Sequence, residues 1–166
     1  MTTETITQNS VKQKLKSQCT RRWQRQWDVA DTGRALHSVR PKVPSKPYRS
    51  IASKNKERKF LRLASGETRL GDNMYKMRFV DSPNCKLCNR DRETVEHILL
   101  YCPSISDLRN HLVHNVDKCY NDHQTPFEER TFSIKTLLHQ QHSDPHTRYE
   151  IKKAVIKFID NIPIDI

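Results

Sequence analysis

Glycine is nearly absent, at three residues in 166. That shortage works against a strand-rich fold, which needs frequent turn residues, and favours helices. Apolar residues are few, 34% of the chain with aromatics at 7%, so the core is small for the length. No apolar stretch approaches the roughly 20 residues of a membrane-spanning helix, no membrane partner is expected, and no internal repeat is evident. The opening residues, MTTETITQNS, are polar and lack the apolar centre of a secretory signal. Five cysteines, an odd count, suit a reducing compartment better than a disulfide framework. The expected location is therefore intracellular, cytoplasmic or nuclear.

The constellations of common enzymes are missing too. There is no pair of metal-binding aspartates of the kind a polymerase needs and no RNase H-like carboxylate set on strands. Nor is there a phosphate-binding glycine loop or a nucleophile elbow. The few carboxylates read as helix-end or surface groups. The expectation is a binding module and not an enzyme.

Positive charge, by contrast, is in excess. The net charge is +11, and it is uneven: residues 1–80 hold 19 Lys and Arg against 6 Asp and Glu, whereas residues 81–166 hold 11 against 13. A basic block attracts polyanions by counterion release, largely without regard to sequence. The same block would also serve solubility, or attraction to any acidic surface.

The basic half leads into Cys85-Lys86-Leu87-Cys88, then His97 and Cys102, a C-x2-C-x8-H-x4-C run. Thiolate sulfur and imidazole nitrogen are the ligands a tetrahedral zinc prefers, and four protein ligands leave no open position. The reading is one structural Zn2+ and no Lewis acid. Two cysteines three apart sit at the ends of one tight turn. Asn89-Arg90-Asp91-Arg92 is polar turn material, and helix begins at Asp91 or Thr94, with Asp91 able to cap and Glu93 and Glu96 near the dipole's positive end. Val95, Ile98 and Leu99 share one apolar face, leaving His97 free to turn to the metal. Cys102 lies five residues past His97, about 140° around a regular helix. Pro103 disfavours helical geometry at Cys102 and lets the chain leave the helix there.

Around this run the pattern is helical. Residues 8–30 place Val11, Leu15, Cys19, Trp23 and Trp27 at intervals of four among Lys and Arg, making a basic amphipathic helix. Its two tryptophans either anchor a core or stack on unpaired bases beside Arg22 and Arg25; the spacing favours the core, and a helix lying on a membrane surface is a third reading. Residues 32–36 read as a short helical turn, and the three prolines of residues 41–49 as a linker. Residues 51–65 form a second basic helix, with Ser53 as cap, Gly66 as stop, and Phe60, Leu61 and Ala64 inward. Lys54, Lys56, Arg58, Lys59 and Arg62, then Arg69, Lys76 and Arg78, continue the positive surface to the metal as candidate phosphate contacts. Ile105, Leu108, Leu112, Val113 and Val116 mark a helix capped by Ser104. Residues 117–125 read as loop, residues 127–138 as a looser helical pattern, and residues 149–159 as a last helix that Pro163 ends. Two further histidine sets, His111, His114 and His123 with Cys119, and His139, His142 and His146, which straddle a loop at Asp144-Pro145, lack familiar ligand spacing and default to surface residues.

One stretch resembles a known family. Asp81-Ser82-Pro83-Asn84-Cys85-x-x-Cys88, followed by Glu93-Thr94-Val95-Glu96-His97-Ile98-Leu99-Leu100-x-Cys102-Pro103 and then Arg109, is similar to the zinc-binding segment at the C-terminal end of non-LTR (LINE-type) retrotransposon reverse transcriptases. Phe60-Leu61-Arg62-Leu63, Ser65-Gly66-x-Thr68-Arg69-Leu70 and Asn73-Met74-Tyr75 resemble its helical lead-in. More faintly, Arg22-Trp23-x3-Trp27-Asp28 and Gly33-Arg34-x-Leu36-His37 resemble a tract that precedes it in some elements. The resemblance implies a nucleic-acid-binding accessory to a polymerase, here without the polymerase.

The sequence thus predicts a mainly α protein, a small helical domain stabilised by one structural CCHC zinc with a basic N-terminal helical arm. Residues 1–50 would be the arm and linker, 51–118 the zinc-binding module and 119–166 the C-terminal helices. The expected partners are RNA or single-stranded DNA, with a reverse transcriptase in cis or in trans. The alternative is a zinc-scaffolded protein-interaction module that docks through residues 104–159.

Overall fold

The computed structural model describes residues 8–44, 50–139 and 141–166. They fall into two compact units, Met1–Tyr48 and Arg49–Ile166.

In the first unit, α1 (Gln8–Val29) is the long basic helix expected from the interval of four, yet none of its residues is buried. Val11, Leu15 and Trp23 stay 43%, 56% and 64% exposed. The two tryptophans part company. Trp23 anchors nothing, whereas Trp27 packs on His37, with ring centroids 5.5 Å apart, and donates its Nε1–H to the Arg40 carbonyl at 2.9 Å. Both partners belong to or end α2 (Arg34–Val39). Gln24 fastens the return of the chain, giving its amide to the Pro41 carbonyl and accepting the Val43 N–H. Gly33 sits where the chain turns with φ 71°, and a Cβ there would meet the Trp27 ring at 3.1 Å. The turn therefore needs glycine for its backbone and for its contact.

The second unit has a true core. α3 (Lys54–Ser65) ends at Gly66 in the left-handed region, as the sequence predicts, though Ser53 makes no side-chain cap. Phe60, Leu63 and Ala64 face inward; Leu61, expected among them, is 41% exposed. At 100° per residue Leu61 falls outside the arc that positions i, i+3 and i+4 define, and Leu63 takes the place. α4 (Gly71–Lys76) comes next in the chain. α5 (Ser106–Asp122) runs through residues expected to be loop, because Tyr120 extends the buried row of Leu112 and Val116 by one more turn. The boundary expected at 118 lies inside this helix. The segment after it holds only a 3-10 turn at Phe127–Glu129 and the short α6 (Ile134–His139).

α7 (Pro145–Asn161) begins four residues before the expected start, at the Asp144-Pro145 pair read as loop. Asp144 caps it by accepting the Thr147 N–H at 2.6 Å, and Pro145 stands at the first helical position, where a missing N–H costs nothing. α5 packs along α7, and α3 and α6 also lie against α7. Phe60, Leu63, Leu112, Val116, Leu137, Leu138, Ile151, Val155 and Ile159 fill the space between them; each such side chain contributes roughly 1.5–3 kcal/mol by leaving water. Among the described residues a buried ionic contact lies there. Lys152 Nζ lies 3.1 Å from Glu57 Oε2, and the same carboxylate accepts the Ile51 and Ala52 N–H groups, tying the start of α3 to α7. The isolated bridge Asn84–Arg92 is the one β feature among the described residues.

Candidate metal centre

The metal segment is built from short backbone loops. The Asn84–Arg92 bridge brings its ends together, and the Cys85 N–H donates to the Asp91 carbonyl at 2.7 Å. The Asn89 N–H returns to the Cys85 carbonyl at 2.8 Å, with Asn89 at φ 55°. Asparagine tolerates that left-handed turn better than most residues. The turn so closed presents both sulfurs on one side. Thr94, not Asp91, caps the helical turn that carries His97: its Oγ1 accepts the His97 N–H at 3.0 Å.

Between His97 and Tyr101 the chain makes a π turn. The Cys102 N–H bonds the His97 carbonyl at 2.7 Å, an i to i+5 closure. A regular helix would place Cys102 about 140° from His97, but the wider turn stacks it above His97. Cys102 itself is extended, with ψ 117°, ahead of Pro103. Proline alone, the device expected from sequence, supplies only that last step. Arg109, from α5, satisfies carbonyls the turn leaves open, donating to Cys102 at 2.6 Å and Leu99 at 3.1 Å. Ser104, expected to cap α5, instead donates its hydroxyl to the Leu87 carbonyl at 3.0 Å and ties the helix end to the turn.

The four side chains converge. Cys85 Sγ and Cys102 Sγ are 3.8 Å apart, and Cys88 Sγ and His97 Nε2 are 3.4 Å apart. The four ligand atoms all lie within 4.8 Å of one another. A tetrahedral zinc with Zn–S near 2.3 Å and Zn–N near 2.0–2.1 Å implies edges of about 3.8 Å and 3.6 Å, so the cluster fits one zinc ion. Cys85 and Cys102 are wholly buried and His97 nearly so. The other ring nitrogen of His97, Nδ1, faces the Asp91 carboxylate at 3.9 Å, the side on which metal-bound histidines commonly find an acid that fixes their tautomer.

The two sulfurs of the turn differ electrostatically. Burial pushes the Cys85 thiol up to about 11. Backbone N–H groups, that of Arg90 foremost, hold Cys88 below the ordinary thiol value. A bound dication deprotonates coordinating thiols outright, and with four protein ligands it orders the fold and offers no position to a substrate.

Two buried residues that support the site escaped the sequence reading. Glu93 is 1% exposed; its carboxylate accepts the Gly71 N–H at 2.6 Å and the Lys86 N–H at 3.1 Å, joining α4 to the turn. In sequence it looked like a charge at a helix start. Gly71 is the matching concavity, where a Cβ would meet the Pro83 and Asn84 carbonyl oxygens at 3.1 and 3.2 Å.

The candidate phosphate contacts are divided between the two units. Arg22 and Arg25 are exposed on α1, and Lys54 and Arg58 are exposed on α3, with Lys59 half-buried. Lys56 pairs with Asp160 at 2.7 Å, Arg69 with Asp165 at 3.1 Å and Lys76 with Asp72 at 2.7 Å. Arg62 donates to the Ile166 carbonyl, and Arg78 is exposed in the turn after α4. Among the described residues the Cys3His set is the one group placed to hold a metal. The rings of His123 and His146 stack on each other, and that of His142 packs on Tyr120.

A buried Cys3His cluster carried by a turn and a widened helical turn, inside a small helical unit, defines a structural zinc module. Residues 34–108 match the family described as zinc-binding in reverse transcriptase, and the match takes in all four ligands. No curated protein and no solved structure matches the chain. No helix among the described residues is long and apolar enough to cross a membrane.

Proposed function

We propose that the chain is a zinc-ordered nucleic-acid-binding module that holds RNA or single-stranded DNA mainly by its phosphates. It would work with a reverse transcriptase, in cis or in trans, and catalyse nothing itself. The observation that carries this reading is the state of the cations. Among the described residues, Arg22, Arg25, Lys54, Arg58, Lys59 and Arg78 form no ion pair with a carboxylate. The carboxylates that pair with Lys56 and Arg69 do so at the surface, where such contacts are worth about 0–1 kcal/mol and a phosphate can replace them; Lys76 pairs with the buried Asp72. The family match points the same way, since reverse transcription handles nucleic acid. A protein-docking role for α5–α7 has less to draw on: Leu112, Val116, Ile151, Val155 and Ile159 are buried in their own unit.

The test is binding of a labelled single-stranded RNA by fluorescence anisotropy, across about 50 to 200 mM salt. Affinity should fall steeply, by about 0.7 in log–log slope for each phosphate neutralised. A Lys54→Glu, Arg58→Glu, Lys59→Glu variant that still holds zinc should bind at least about tenfold more weakly, with a slope smaller by about 2. Affinity flat with salt, or untouched by the triple substitution, would overturn the reading.

A further inference from the structure

The turn that closes α4 reads Tyr75-Lys76-Met77-Arg78-Phe79. In a sequence short of apolar residues its three large apolar side chains face water: Tyr75 is 43%, Met77 59% and Phe79 70% exposed. The backbone beneath them is firmly set. The Phe79 N–H bonds the Met74 carbonyl at 2.9 Å and the Arg78 N–H bonds that of Tyr75 at 3.0 Å, the paired bonds of a Schellman helix end. That motif usually has glycine at its left-handed position and packs the next side chain back on the helix. Here Arg78 takes the left-handed position, at φ 63°, and Phe79 points away from the core. Neither departure is rewarded by packing, so the turn holds an aromatic ring out in solvent against local preference.

This surface is attached to the metal segment. Arg92 places its guanidinium 5.8 Å from the Tyr75 ring centre and reaches Asp72 Oδ1 at 2.6 Å. Apolar and basic residues alternate along the turn, Tyr75, Met77 and Phe79 against Lys76 and Arg78. The helix end therefore offers exposed apolar side chains and cations within a few residues of each other, the two kinds of group that a strand with accessible flat bases and charged phosphates can use. In a duplex the bases already stack on one another, and only unpaired ones offer a face to a side chain.

Resting on the phosphate-binding reading above, we propose that Tyr75, Met77 and Phe79 form a stacking platform for unpaired bases, with Arg78 and Lys76 holding the flanking phosphates. The module then selects single strands over duplexes. A protein partner would use the apolar side chains and leave Arg78 unanswered, since among the described residues it forms no ion pair with a carboxylate while Lys76 pairs with Asp72, which is why nucleic acid is the occupant the charges favour.

The test crosses two changes on the full zinc-loaded chain. Wild type and Phe79→Ala are each titrated with a labelled single strand of about 12 nucleotides, with the same strand made abasic at its centre, and with a duplex of equal length. Phe79 is exposed, so the variant should keep zinc stoichiometry and helicity, both measured alongside. Phe79→Ala should weaken binding to the intact strand by about tenfold, with an unchanged salt slope because no charge is lost. It should change abasic and duplex affinities by less than about twofold, and Phe79→Trp should restore the preference for the intact strand. Wild type that binds all three forms equally, or a Phe79→Ala variant that weakens them all alike, overturns the stacking platform while leaving phosphate binding intact. Wild type that binds none of them removes both readings.

Discussion

The two units stand up by different means. α1 runs for 22 residues with none buried, and its unit is tied together by polar contacts from Gln24, Trp27 and Arg34. The unit Arg49–Ile166 has a buried apolar cluster, a buried ion pair and the Cys3His centre. The difference shows where the few apolar residues of this sequence went. They were concentrated in one unit, leaving the basic helix to rest on propensity and a handful of hydrogen bonds. The distribution of charge follows the same division. Arg69 and Lys56 meet acids at the C-terminal end of the chain, while α1 presents Lys12, Lys14, Lys16, Arg22 and Arg25 to solvent.

Removing the zinc should separate the two units most sharply. Residues 84–102 have little regular structure of their own, so the ion should contribute on the order of 10 kcal/mol apparent free energy to their order. Chelation, or Cys102→Ser, should abolish amide protection across this stretch and through the π turn in hydrogen-exchange NMR. The α1 amides should exchange as before. Full protection at 84–102 in metal-free protein would remove the structural role assigned to the cluster.

A smaller contrast lies in single side chains. Lys152→Ala removes the ammonium beside the buried Glu57 carboxylate, which keeps the Ile51 and Ala52 N–H groups, and should cost up to about 3–5 kcal/mol, the range for broken buried pairs. Lys152→Met, which refills the volume but also leaves that carboxylate without its ammonium, should stay nearly as costly, and should recover most of the loss only when combined with Glu57→Gln. Leu15→Ala on α1, at a side chain 56% exposed, should stay within about 0.5 kcal/mol. Urea unfolding of the full chain would measure these variants. A Leu15→Ala cost matching that of Lys152→Ala would mean that the stripe on α1 is covered in solution.

Legibility in the sequence followed the range of the interaction concerned. The four ligands, α1 and the Gly66 stop were readable because each depends on residues a few positions apart. The π turn was not, because an i to i+5 closure leaves no trace in apolar periodicity; only the awkward angle of Cys102 hinted that something had to give. Glu93 looked like an ordinary dipole charge, since its partners Gly71 and Lys86 are set by the fold. The same holds for the basic residues. Lys56 and Asp160, or Arg69 and Asp165, are about a hundred positions apart, and no local pattern could mark those cations as already paired. Trp23 and Trp27 share one spacing in sequence and differ in burial because only Trp27 has α2 to pack on. Asp144-Pro145 was the opposite case: a local cap signal was present and was read as a break.

That cap supplies the smallest effect and a test of sign. The Thr147 backbone N–H is the main reason the Asp144 carboxyl sits at about 2, against about 3.9 in an unfolded chain. A depressed folded value stabilises the charged state, so the contribution is complete above pH ~3.9 and is lost as pH falls through about 2. Asp144→Asn keeps an acceptor for the Thr147 N–H but removes the charge that favours a helix start. Its Tm should therefore lie slightly below wild type, by an amount that stays constant from pH 7 down to about 4.5 and narrows only in more acid solution. Zinc loss at low pH would affect both proteins alike and cancels in the difference. A gap that already closes between pH 7 and 5 would mean that some other group, such as the nearby His123, carries the pH dependence at the start of α7.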